Sequence, residues 1–133
     1  MLRISKRVEY GLMALQYLAK NGTVATAREI SDANNIPYDL LAKIMQSLKR
    51  DGMIDSFQGV RGGYRMMLAP NSVTLNRVVG ALEEETTITE CISPSRDHSM
   101  CELNNSCTIK EPMQKLQTVL NDSVGKMTIA EFL

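Results

Sequence analysis

The chain has 133 residues, 44% of them hydrophobic, and is long enough for one core with an appended element. It shows neither repeats nor low-complexity segments. No secretory signal or long apolar run appears, which sets aside a secreted or membrane-spanning class and makes the cytoplasm the expected compartment. The formal net charge is zero, but residues 1–68 carry ten Lys/Arg against six Asp/Glu and residues 69–133 five against nine, so the halves are +4 and −4. A basic front half attracts phosphate, and the acidic back half serves another purpose.

The first predicted helix runs from Ser5, as N-cap, to Lys20, with Gly22 as its stop. Ile4, Val8, Leu12, Leu15 and Ala19 recur at helical spacing, so this helix belongs to the core. Its narrow polar stripe is Lys6, Glu9, Gln16 and Lys20, in which Glu9 is the lone acid. Thr26-Ala-Arg-Glu29 has the pattern of a capping box and opens a second helix over Ala27–Ala33 that buries Ile30 and carries Arg28. After the turn Asn34-Asn35-Ile36, Pro37 opens a third helix that runs to Arg50 and ends at Asp51-Gly52. Leu41, Ile44, Met45 and Leu48 point inward, while Tyr38, Asp39, Lys43, Gln46, Ser47, Lys49 and Arg50 form the other face.

Two short helices joined by a tight turn make a helix-turn-helix, whose second helix enters the major groove. Basic and amide side chains there suit phosphates and base edges. Residues 53–57 and 64–68 are strand-like and flank Gln58-Gly-Val-Arg-Gly-Gly63, a hairpin with a glycine-rich tip that carries Arg61. Helix, turn, helix, hairpin is the order of a winged helix, and an arginine at such a tip can enter a narrow minor groove. The candidate DNA-contacting set is therefore Lys6, Arg28, Tyr38, Lys43, Gln46, Lys49, Arg50, Gln58 and Arg61.

Ala69-Pro70-Asn71 breaks the chain, and Thr74 then caps a helix from Leu75 to about Glu84 with Val78, Val79 and Leu82 on its apolar face. Glu83, Glu84 and Glu85 fall where the helix dipole disfavours them. All three cysteines, Cys91, Cys101 and Cys107, lie in the segment that follows, whose Ser, Pro and Asn residues offer no apolar period. An odd count argues against a complete disulfide framework, and three thiolates can hold a poorly cored segment by binding metal. Nine residues separate the first two cysteines and five the last two, unlike the close pairs of a zinc ribbon. The spacing places an iron–sulfur centre slightly ahead of zinc or a thiol switch, with a fourth ligand to be found elsewhere.

Beyond Cys107, Thr108-Ile-Lys-Glu111 is a second capping-box pattern, with Pro112 just inside a helix to Val124. Ile109, Met113, Leu116, Leu120 and Val124 form a narrow stripe close to a coiled-coil seam. A stripe outside the winged domain packs on its own subunit or on a twin. A twin is expected here, since two copies read a palindrome with half-sites ~34–36 Å apart. Thr128 and Glu131 cap a short final helix to Leu133.

In their order these pieces resemble the IscR/NsrR type of bacterial winged-helix regulators, the Rrf-two family, across almost the whole chain. The resemblance rests on Ile4-Ser-Lys, Glu9-Tyr-Gly-Leu, Ala14-Leu, Gly62-Gly-Tyr-Arg, Val78-Val79, the three cysteines ahead of a long helix, and Thr128-Ile-Ala-Glu131. It implies a homodimer joined through its 109–124 helices, double-stranded operator DNA as partner, and transcriptional control by an iron–sulfur cluster, 2Fe–2S ahead of 4Fe–4S, held by Cys91, Cys101 and Cys107. IscR-like members place a histidine three residues after the last cysteine, where this chain has Lys110. NsrR-like and RsrR-like members use a carboxylate on the first helix of the other subunit, which here is Glu9 of the partner subunit. The gap between the first two cysteines is longer than is usual and contains His98, a rival fourth ligand. The wing has Gln58-Gly59 where the family commonly has Arg-Gly, and Arg61 stands nearby to take the minor-groove role.

The expected fold is thus mainly α with a small β-hairpin: a winged helix-turn-helix over 1–85, a cysteine segment over 86–107, and a dimerisation helix with a short terminal helix over 108–133. The expected function is a homodimeric DNA-binding regulator. A thiol–disulfide or zinc switch in place of the cluster is the first alternative, and an iron–sulfur carrier without a DNA role the second. An enzyme is not expected, for the sequence offers no nucleophile–base pair and no phosphate loop.

Overall fold

The computed structural model describes residues 4–83 and 108–133. Helix α1 (Lys6–Asn21) starts where the Ser5 side chain accepts a hydrogen bond from the Val8 N–H, and stops at Gly22 in the left-handed region, φ 63°. Helix α2 (Ala27–Asn34) carries the full reciprocal capping box between Thr26 and Glu29 and ends on Asn35, φ 54°. Helix α3 (Tyr38–Asp51) follows Pro37 and ends at Gly52, whose N–H bonds the carbonyls of Leu48 and Lys49. One apolar face of each helix closes on the others: Val8, Leu15, Ile30, Leu41, Ile44, Met45 and Leu48 are completely buried. The nearly apolar interior, at roughly 25 cal/mol for each Å² withdrawn from water, is what holds the three helices together.

Strands β1 (Ile54–Phe57) and β2 (Gly63–Met66) form an antiparallel pair with Ile54 opposite Met66 and Phe57 opposite Gly63. The pair is shorter than the sequence suggests, because Met53 contributes only its carbonyl, which accepts from the Met67 N–H at 2.9 Å, while its own N–H bonds the Leu48 carbonyl. Ala25 and Tyr64 exchange backbone hydrogen bonds, which makes the α1–α2 connection a partner of the hairpin. This contact demands glycine at 63: its φ is 148°, and a Cβ there would lie 2.5 Å from the Ala25 carbonyl carbon.

Helix α4 (Leu75–Leu82) is capped by Thr74 and buries Leu75, Val78, Val79 and Leu82. It ends at Leu82 and not near Glu84: Glu83 is extended, φ −123° and ψ 138°. Continuing would have stacked carboxylates on the negative end of the dipole; Glu84 and Glu85 lie outside the described residues. Helix α5 (Lys110–Val124) also departs from expectation at its start. Ile109 already has helical backbone angles and no side chain caps the helix, so the Thr108 capping box does not form. Pro112 still falls in the first turn, where no intrahelical N–H is required.

The chain then returns. A 3₁₀ turn over Ile129–Phe132 is held by the predicted Thr128/Glu131 box, and Ile129 is fully buried in the same core as α1, α3 and α4. Backbone bonds from Leu75 N–H to Met127 O (2.8 Å) and from Ile129 N–H to Val73 O (3.0 Å) stitch this return to the start of α4. Among the described residues, five α-helices around a core with one hairpin beside them confirm the expected class, mainly α with a wing.

Candidate nucleic-acid interface and cysteine segment

Packing of Leu41, Ile44, Met45 and Leu48 into the core leaves the opposite face of α3 to solvent, and Tyr38, Asp39, Lys43, Gln46, Lys49 and Arg50 are all exposed there. Ser47, predicted on this face, is half-buried. The wing begins three residues after α3, so its strands stand beside the C-terminal half of that helix. Two side-chain bonds join the two elements: Gln46 Nε2 donates to the Tyr64 hydroxyl at 3.0 Å, and Lys49 Nζ to Ser56 Oγ at 2.7 Å. Lys49 and Gln46 thus hold the wing against the helix as well as presenting polar atoms outward.

Arg28 reaches from α2 to α3, its guanidinium carbon 4.0 Å from the centroid of the Tyr38 ring. The stacking fixes a long cation over an aromatic platform at the start of α3, a geometry suited to a phosphate. At the wing tip Gln58, Gly59, Val60 and Arg61 are exposed. An open groove of about 440 Å³ separates Val60, Arg61 and Gly62 from Thr23, Thr26 and Glu29, so the tip projects from the body. The structure brings Arg28, Tyr38, Lys43, Gln46, Lys49, Arg50, Gln58 and Arg61 to α3, its neighbouring helix and the wing. Lys6 is elsewhere, at the start of α1, in an ion pair of 2.9 Å with Glu9.

One cation was missed by the sequence reasoning. Arg65 is exposed on β2 with its guanidinium carbon 4.8 Å from the Phe57 ring centroid. The period-two alternation of the strand, with half-buried Tyr64 and Met66 on either side, is the signal that points it outward.

Of the candidate metal ligands, Cys91, Cys101, Cys107 and His98 lie outside the described residues. Glu9 is on the outward side of α1, its side chain 41% exposed, in a shallow hollow lined by Ile4, Ser5 and Lys6. Among the described residues no three metal-ligating side chains come together, and no described helix is long and apolar enough to cross a membrane.

A family model described as "Rrf2: Iron-dependent Transcriptional regulator" matches residues 4–133. The chain belongs to the Rrf2 family. Over 134 residues it is 25% identical to the HTH-type transcriptional regulator NsrR of Halalkalibacterium halodurans, covering 99% of this chain and 90% of that one. Over 85 residues it is 33% identical to a putative HTH-type transcriptional regulator of Synechocystis, covering 62% of this chain and 58% of the relative. Among solved structures it resembles CymR, the global cysteine regulator of B. subtilis, with TM-score 0.73 and 20% identity over 99% of this chain and 96% of that one. It also resembles T. potens IscR, with TM-score 0.74 and 17% identity over 98% of this chain and 85% of that one. The protein is an Rrf2-family winged-helix transcriptional regulator, which removes both the enzyme and the carrier without a DNA role.

Proposed function

We propose that this Rrf2 protein is a homodimer whose α3 and wing read an operator, and whose operator affinity is set by an iron–sulfur cluster held by Cys91, Cys101, Cys107 and Glu9 of the partner subunit. The observation that carries the reading is the position of Glu9. It is the sole acid of α1, partly exposed on the outward side of the helix, in a shallow hollow with Ile4, Ser5 and Lys6 and engaged with Lys6 by an exposed ion pair. Such a pair contributes little and is easily exchanged for a metal. Three thiolates and one carboxylate match the donor number of a cluster site, and the oxygen ligand is the weaker, more exchangeable member for iron. A cluster held by these residues would supply redox-active iron and would cross-link the two subunits through Glu9.

The residues of this chain then have separate tasks. Lys43, Arg50 and the Arg28–Tyr38 pair meet backbone and base edges, and Arg61 enters the minor groove. The apolar stripe of α5 joins the copies, and Glu9 ties α1 of one subunit to the cysteine segment of the other. A thiol–disulfide or zinc switch would use the same cysteines and is separated by experiment. Anaerobically purified protein should absorb in the visible and contain iron and sulfide. Cys101→Ala should abolish that absorbance in a still-folded dimer, and Glu9→Ala should leave a less stable or spectrally altered cluster. Colourless, iron-free wild-type protein refutes the cluster, and a spectrum changed by His98→Ala and not by Glu9→Ala moves the fourth ligand to His98.

A further inference from the structure

Helix α4 is gripped from three directions. Leu75, Val78, Val79 and Leu82 seat it in the core. From its first turn, Asn76 Nδ2 donates to the Asn121 carbonyl of α5 at 3.2 Å. The next residue, Arg77, reaches the other way: its Nε donates to Asp51 Oδ2 at 2.7 Å and its Nη2 to the Asp51 carbonyl at 3.0 Å. Asp51 is the last residue of α3, and Gly52 turns the chain there at φ 91°.

We infer that Arg77 is a positioning residue through which α4 sets the attitude of the DNA-reading helix, so that events in the cysteine segment reach α3 along Asn121, Asn76, Arg77 and Asp51. The inference rests on the proposed role of the cysteines as the place where the signal enters.

The connectivity makes α4 the natural relay. The chain passes from α4 into the segment that carries Cys91, Cys101 and Cys107, and α5 begins three residues after the last of them. The two helices that bracket the cysteines are therefore the two joined by Asn76 and Asn121. A displacement of α5 therefore bears on α4 through this bond, and α4 has a side chain fastened to the end of α3.

The chemistry of the grip also points to geometry and not to stability. An exposed ion pair adds little to folding. A guanidinium that binds a carboxylate oxygen and a main-chain carbonyl of the same residue fixes direction as well as distance, because its donors lie in one plane. It also satisfies one of the carbonyls that a helix end leaves without an intrahelical partner, at the pole that favours a cation. Lysine would keep the charge and lose the planar two-point hold.

The experiment compares DNA affinity in two states of the full-length dimer, with cysteines intact after anaerobic preparation and with Cys91, Cys101 and Cys107 all changed to Ala. A duplex selected from a random library by the wild type serves as ligand. Coupling between sites typically amounts to about 5–150-fold, so the wild-type ratio should be at least about fivefold, and R77K and R77A should bring it below about twofold while melting like wild type. Hydrogen exchange of residues 48–53 gives a second measure: it should differ between the two states in wild type and be the same in R77K. Lys115→Ala, on an exposed position of α5, should keep the full ratio. A ratio retained in R77K and R77A, with state-dependent exchange at 48–53 intact, overturns the relay alone. A wild-type ratio of one overturns the relay together with the reading on which it rests.

Discussion

Replacing Ile129 by Ala tests whether the end of the chain is part of the winged core. Ile129 is fully buried and lies in one hydrophobic cluster with Leu15, Ile44 and Val78, although it stands 51 positions beyond Val78 in the sequence. The substitution removes three carbons, which costs about 2.4 kcal/mol in transfer free energy at ~0.8 kcal/mol per methylene. The cavity left behind adds to this, and Ile-to-Ala changes in cores cost about 2–5 kcal/mol in total. Taking about 3 kcal/mol, and about 3–5 °C per kcal/mol for a domain of this length, the melting midpoint should fall by about 9–15 °C. Thermal unfolding followed by circular dichroism at one fixed protein concentration reads this, since any self-association makes the midpoint depend on concentration. Leu133→Ala, four residues on and half exposed, is the control and should shift the midpoint by no more than about 2 °C, within the ±0.5 kcal/mol of ordinary surface changes. An Ile129→Ala midpoint within about 2 °C of wild type would show that the terminal turn is dispensable to the core, against the packing described above.

Gly63→Ala should displace the wing, because a left-handed backbone and a clash with the Ala25 carbonyl act at one residue. Strain of this kind costs about 1–3 kcal/mol, which denaturant unfolding measures. Arg61→Ala should weaken binding to a selected duplex and flatten its salt dependence by about one unit of slope if the side chain meets a phosphate, while leaving visible absorbance unchanged. Equal affinity across a salt series would take Arg61 out of the interface. Leu116→Glu should shift the protein towards monomer in analytical ultracentrifugation, and an unaltered sedimentation profile would remove α5 from the dimer contact.

The parts of the fold legible in the sequence are those fixed by a few neighbouring residues. Ser5 with Val8, Thr26 with Glu29, Thr74 with Arg77 and Thr128 with Glu131 each cap a helix through a bond three residues long, so pattern and structure coincide. Thr108 shows the limit of that logic: the same letters fail where Ile109 has already entered the helical region. The longer links were not legible, because nothing local announces them. Arg77 meets Asp51 across 26 positions, Gln46 meets Tyr64 across 18, and the Gln16 amide donates to the Phe132 carbonyl across 116. The exposed face of α3 was legible as the remainder of an apolar pattern, but its bonds to the wing needed the fold. For the cysteines, spacing and count carry the argument, and Glu9 gained a role only by resemblance.

Helix α5 buries an amide against its own subunit while leaving several aliphatic side chains in water. Of its described residues only Gln117 is buried, with its amide donating to Asn121 Oδ1 at 2.8 Å, while Leu116 and Val119 are 41% and 59% exposed and Ile109 just before the helix is 55% exposed. The side turned to α4 is thus the polar one, bonded through Asn76 and Asn121. Burying an amide is tolerable when its hydrogen bonds are made, but leaving a row of aliphatic side chains in water forgoes about 25 cal/mol for each Å². Val124 packs on the core, but Ile109, Leu116 and Val119 stay exposed, and a second copy covering them is the arrangement proposed above. The same polar contact would then let a shift in the dimer crossing pass to α4. Hydrogen bonds with defined partners transmit a displacement in one direction, whereas a greasy contact between α4 and α5 would allow the two helices to slide.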